Sequence, residues 1–144
     1  MRLTTLTALA AATVLLTSCG GSDGPTGREG SPATAGDLDN TTYTSSEVTG
    51  YDMVKDTQVV LTFKDGNLGV NGGCNTMSAA YAVTDGTLKW TGPAASTMMA
   101  CNDELTAQDK WLTGIFTDGV KADVNNSTLV LTASDDAEIV LEAD

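Results

Sequence analysis

Two cysteines carry the first chemical question. Cys74 sits in a Gly/Asn turn within "NGGCNTMSAAYAV", and Cys101 closes the run "ASTMMAC" 27 positions later. A nucleophilic role needs a thiolate and a base, usually histidine, and the chain contains no histidine. A carboxylate could serve in principle, but the sequence marks none out beside either cysteine. Structural zinc takes about four Cys and His ligands, of which this pair supplies two. No Cys-x-x-Cys redox motif is present. These exclusions favour a disulfide over a reaction centre or metal site, provided that the domain lives where disulfides persist.

The address comes from the N-terminus. Residues 1–18, "MRLTTLTALAAATVLLTS", place one cation, Arg2, before an uncharged and mostly apolar segment, the layout of an export signal. Leu3 to Leu16 would make a helix of about 21 Å, short of a hydrocarbon core of about 30 Å. The following "LTSC" resembles the lipobox of bacterial lipoproteins, in which the cysteine is acylated and becomes the first residue. That resemblance implies lipid on Cys19 and attachment to the extracytoplasmic side of a membrane, anchored and not spanning. Cys74 and Cys101 then remain as an even pair in an exported domain, and the expectation is a staple. A bridge enclosing about 28 residues would stabilise the fold by about 3 to 4 kcal/mol on the loop-entropy account.

Behind Cys19, "GGSDGPTGREGSPATAG" offers no large apolar side chain, so residues 19–37 are expected to be a flexible linker. The formal charge is −12. Cleavage before Cys19 would remove Arg2 and leave six cations against nineteen acids, −13. Nucleic-acid binding depends on cations that displace counterions from phosphates, so nucleic acid is not an expected partner. The acidic cluster "SDDAE", Ser134 to Glu138, lacks the alternating ligand spacing of an EF-hand, and no metal or other cofactor is expected.

Residues 38–144 suffice for one domain. Turn signals recur at Asp65-Gly66, Asn71 to Gly73, Asp85-Gly86, Asp118-Gly119 and Asn125 to Ser127, the punctuation of an antiparallel meander. Between them apolar residues alternate: Val59, Leu61, Phe63; Val120, Ala122, Val124; Leu129, Leu131; Ile139, Leu141. Each strand thus has one dry face. Strands are expected at 42–48, 58–64, 67–71, 77–83, 87–91, 95–100, 119–124, 127–132 and 137–142. In "NDELTAQDKWLTGIF" the spacing changes, with Leu105, Leu112, Ile115 and Phe116 on one helical face and Asn102 or Asp103 as the cap. The expected architecture is mainly β, a curled antiparallel sheet or small barrel with one helix packed against it.

The segments carrying the cysteine pair resemble the META domain family, which includes heat-inducible lipoprotein-like proteins of the bacterial envelope. The likeness lies in "GGCNTMSAAYAV", in "GTLKWTGPAASTMMAC" and in an acidic helix start followed by Gln108. The family commonly has Trp in the first strand, where this chain has Tyr43, and often Gly where Ala79 or Ala80 stands. Membership implies a small β-barrel-like sheet with a helix and an association with envelope stress.

Asn75, Thr76, Met98 and Met99 form the expected binding surface. Asn75, Thr76 and Ser78 also suit turn chemistry that holds the Cys74 loop. At strand spacing one of the two methionines is expected in the core, and Trp90 and Trp111 are expected as core or barrel-mouth residues. The leading functional expectation is a non-catalytic binding or assembly module on a membrane anchor, its partner an envelope protein. The alternative is a barrel-type carrier of a small apolar ligand. Enzymatic chemistry is not expected, because neither a base nor a redox motif accompanies the cysteines.

Overall fold

The computed structural model describes residues 30–144. The signal segment 1–18, Cys19 and the first part of the expected linker lie outside the described residues. The described residues form ten strands and two helices: β1 (Ser31–Pro32), α1 (Ala35–Leu38), β2 (Thr42–Thr49), β3 (Val60–Lys64), β4 (Asn67–Asn71), β5 (Thr76–Thr84), β6 (Thr87–Trp90), β7 (Ala95–Ser96), α2 (Asp103–Asp118), β8 (Val120–Asn125), β9 (Thr128–Thr132) and β10 (Glu138–Ala143).

The hairpins form where the turn signals fall. Asp65 and Gly66 have φ of 50° and 74°, and Asp85 and Gly86 have 50° and 72°. Two successive positive-φ residues make the tight turn whose twist matches that of the flanking strands. Lys64 accordingly pairs with Asn67, and Thr84 with Thr87. The strand order is β8-β6-β5-β4-β3-β2-β10-β9, and β9 pairs back to β8. The result is a closed antiparallel barrel of eight strands, with no free edge around the ring.

Inward positions supply the core. Val59, Leu61, Phe63, Leu68, Val70, Leu88, Leu129, Leu131, Ile139 and Leu141 are all buried, as the alternation predicts. Phe63 stands edge-on to Tyr43 and Tyr81, with ring centroids 6.0 and 5.1 Å away. Helix α2 packs on β6 and the β4–β5 turn, where Phe116 meets Trp90 at 5.6 Å and Leu112 lies against Gly72. Asn102 caps it by accepting from the Leu105 N–H at 2.8 Å, and Gly119 ends it at φ 105°. Among the described residues no helix is long and apolar enough to cross a membrane.

Two expectations require correction. The linker does not extend to 37: Ser31 and Pro32 pair with Val124 and Asp123 of β8, and Ala33 is buried. Small side chains suffice there, because what docks is backbone and one methyl group. The strand expected at 95–100 stops at Ser96, because the Met99 N–H and the Thr97 hydroxyl bond to a side chain instead of a strand. Trp111 is half-buried, packs against the core and stacks on Tyr51 at 3.9 Å.

The docked segment is fastened at its start by Asp37. Its Oδ2 accepts from the Thr34 hydroxyl at 2.6 Å and the Thr34 N–H at 2.8 Å. Those bonds, the hydroxyl first, hold the Asp37 carboxyl below the ordinary aspartate value of 3.8. A depressed carboxyl contributes stability above its unfolded value and loses it as pH falls through the folded one. An NMR titration of the Asp37 carboxyl is therefore expected to show a midpoint below 3.8 that rises toward it in Thr34→Ala. Equal midpoints in the two proteins would contradict the docked arrangement.

Candidate functional site

Helical periodicity brings two polar residues to the inner face of α2. Gln108 and Asp109 lie three and four positions after Leu105 and four and three before Leu112, so they share the stripe that faces the barrel. Gln108 is completely buried and Asp109 is 8% exposed. The sequence marks Gln108 only through the family resemblance, and Asp109 was missed. The same spacing that marks Leu112 as core could have found both.

The Gln108 carboxamide is fully used. Its Oε1 accepts from the Val54 N–H at 2.7 Å, and its Nε2 donates to Thr57 Oγ1 at 3.0 Å and to the Gly72 carbonyl. One neutral side chain thereby satisfies groups from two loops that would otherwise be buried without partners. Close approach is possible because Gly73 has φ 112° and no Cβ; a Cβ there would sit 2.7 Å from Thr57 Cγ2.

Next to this contact lies the Cys74–Cys101 disulfide, with Cα atoms 6.3 Å apart. It ties the β4–β5 turn to the residue that precedes the α2 cap. Asn75 joins the same parts by hydrogen bonds. Its Nδ2 donates to Asp109 Oδ2 at 3.0 Å and approaches Cys101 Sγ at 3.4 Å. Its Oδ1 accepts from the Thr97 hydroxyl at 2.9 Å and the Met99 N–H at 2.8 Å. The Asn75 N–H also donates to Asp109 Oδ2, at 3.1 Å. Asp109 Oδ1 is buried and has no hydrogen-bond partner.

This fork explains why β7 is short. The Met99 N–H goes to a side chain, and the segment leaves the sheet after Thr97, whose N–H still reaches the Thr76 carbonyl at 3.1 Å. Both methionines then face outward, Met98 98% and Met99 65% exposed. The expectation that one of them is core is thus overturned, because the disulfide and Asn75 hold this stretch at the surface. Of the expected binding residues, Thr76, Met98 and Met99 are exposed, while Asn75 is half-buried and committed to internal bonds. The run from Thr91 to Asn102 carries no charged residue, although it lies in a chain of net charge −12.

A small closed barrel, one capping helix and a disulfide between the β4–β5 turn and the helix start define the structural class. The META domain family model matches residues 36–144, and the chain belongs to that family. The fold is similar to the NMR structure of a protein from Burkholderia xenovorans, at 19% identity and TM-score 0.65, covering 87% of this chain and 96% of that one. It is similar also to a second NMR structure, at 20% identity and TM-score 0.59, covering 76% and 94% of the two chains. No curated protein matches.

Asn75→Ala would strip partners from the Thr97 hydroxyl, the Met99 N–H and Asp109 Oδ2 together. Each partner left buried costs about 1 to 3 kcal/mol, although those near the surface regain water. Urea unfolding is expected to show a loss of about 2 to 4 kcal/mol in Asn75→Ala, and a loss below about 0.5 kcal/mol would contradict the assigned role. Asn71→Ala, equally half-buried but bonded only within the same turn, serves as the reference.

Proposed function

We propose that the chain is a lipid-anchored, non-catalytic binding or assembly module on the extracytoplasmic side of the bacterial envelope, engaging an envelope protein through the segment around Met98 and Met99. The observation that carries this reading is the exposed, charge-free run from Thr91 to Asn102, held in place by the disulfide and the Asn75 fork. Interface centres are depleted in charge and enriched in Met, and Met side chains adapt to irregular partners at little cost. A surface held in one shape before binding loses less entropy on association.

The lipobox-like "LTSC" and the apolar run before it support the anchor, and the cysteine pair suits an oxidising compartment. A role in envelope stress rests on family association alone. The lack of histidine in the sequence and the disulfide that occupies both sulfurs support a non-enzymatic reading. Nothing favours the carrier alternative: inward side chains such as Leu61, Phe63, Leu68, Leu88 and Leu131 are almost completely buried against one another, and a barrel of this size is filled by its side chains.

A photo-crosslinking amino acid at Met98 in the lipidated protein, illuminated in host membranes, is expected to give a discrete adduct. Lys121, exposed on β8, provides the control position. The adduct should disappear on competition with the untagged soluble domain, but not with the domain carrying Met98→Ser and Met99→Ser. That double change should alter stability by about 0.5 kcal/mol or less per site. Matching adducts from positions 98 and 121 would sink the proposal.

A further inference from the structure

The exclusion of zinc from the sequence rests on a count of two ligands, and the fold supplies a third. One carboxylate oxygen of Asp109 and both sulfurs of Cys74 and Cys101 lie within 4.8 Å of one another. Asp109 is more than nine-tenths buried, and its Oδ1 lacks any partner. A buried carboxylate oxygen without a donor is costly to maintain, and a cation is the partner that would relieve it most. We propose that, once the disulfide is reduced, Cys74, Cys101 and Asp109 form a binding site for a borderline divalent cation of the Zn²⁺ class.

The donor set suits that ion. Two thiolates and one carboxylate leave one position of a tetrahedron open, and the half-buried cysteines give water access to it. With Zn–S bonds of about 2.3 Å, tetrahedral geometry sets the two sulfurs about 3.8 Å apart. Reduction frees them from bonding distance, and rotation about the cysteine side chains provides the separation without moving Cα atoms that stand 6.3 Å apart. Asn75 Nδ2, within reach of Cys101 Sγ and Asp109 Oδ2, would orient two of the ligands from outside the metal shell. Asn75 also keeps its bonds to Thr97 and Met99, so the loop keeps its place in either state. Three anionic donors with no cation between them would repel one another, whereas a divalent ion reduces the net charge of the cluster to −1.

A dithiol reductant donates two electrons and two protons, breaking the Cys74–Cys101 bond and becoming a disulfide itself. The two thiols then lose their protons to solvent as the cation binds, and affinity falls as pH is lowered. The oxidised chain offers the carboxylate alone and is expected to bind no better than other surface acids. This inference does not depend on the partner proposed above.

Cobalt(II) chloride is the probe, added to the full chain after reduction with a phosphine. The expected result is one equivalent bound with a thiolate-to-cobalt charge-transfer band, displaced by zinc, and absent from the oxidised chain. Asp109→Asn is expected to weaken binding about tenfold or more, and Cys74→Ser with Cys101→Ser to abolish the band. The fold of Asp109→Asn is checked first in the oxidised state, where the bridge supports it. X-ray absorption on the zinc-loaded wild type needs no variant and should report two sulfur ligands with oxygen or nitrogen completing the shell. No charge-transfer band, binding unchanged by Asp109→Asn, or a reduced chain that metal fails to hold in its native circular-dichroism spectrum would each overturn the proposal.

Discussion

One carboxamide, that of Asn75, connects three stretches of chain that nothing else brings together in the same way. Its donor end reaches Asp109 on α2 and its acceptor end reaches the Thr97 hydroxyl and the Met99 N–H. Only a side chain with a donor and an acceptor on one planar group can do both from this position. Aspartate would place oxygen against oxygen at Asp109, and an aliphatic residue would leave every partner empty. The disulfide beside it shortens the unfolded chain's freedom, while Asn75 specifies which folded arrangement the bridge locks.

The helix depends on that arrangement. Its inner face presents Leu105, Leu112, Ile115 and Phe116, but the stripe is interrupted by Gln108 and Asp109, both buried. An amphipathic helix with two polar residues in its buried stripe gains less from apolar burial than an unbroken one. Gln108 offsets its own desolvation by three hydrogen bonds to the 54–57 loop and the β4–β5 turn. Asp109 is satisfied on one oxygen alone. The polar contacts therefore fix the rotation and height of the helix on the barrel, and the apolar contacts of Leu112 and Phe116 supply the bulk of its attachment.

Most of the barrel was legible because its signals are local. Asp65-Gly66 and Asp85-Gly86 announce their own turns, period-two alternation marks the inner faces, and Asn102 with Gly119 brackets α2. What the sequence concealed is non-local. Ser31 and Pro32 are too polar and short to read as a strand, and pair because β8 runs on past its pairing with β6, leaving Asp123 and Val124 for them. The stretch 97–100 has strand-like composition, yet the Met99 N–H and the Thr97 hydroxyl are taken by the Asn75 side chain, more than twenty positions away. Strand spacing placed one of Met98 and Met99 in the core, whereas both are exposed because the strand ends before them. Asp109 was overlooked because a charged residue beside Lys110 reads as a solvated face, although its helical position relative to Leu105 and Leu112 puts it inside. The META resemblance named the disulfide region, the fold and Gln108, and passed over Asp109.

The Met99 amide tests the central claim most directly, because its only protection is the Asn75 carbonyl oxygen, outside any strand. Hydrogen exchange followed by NMR on the oxidised chain should show that amide exchanging far more slowly than the neighbouring Met98 amide. The slowing should vanish in Asn75→Ala while the β9 and β10 amides stay protected. If Met99 exchanges as fast as an unstructured residue in the oxidised wild type, Asn75 does not organise the loop and the account fails at its centre.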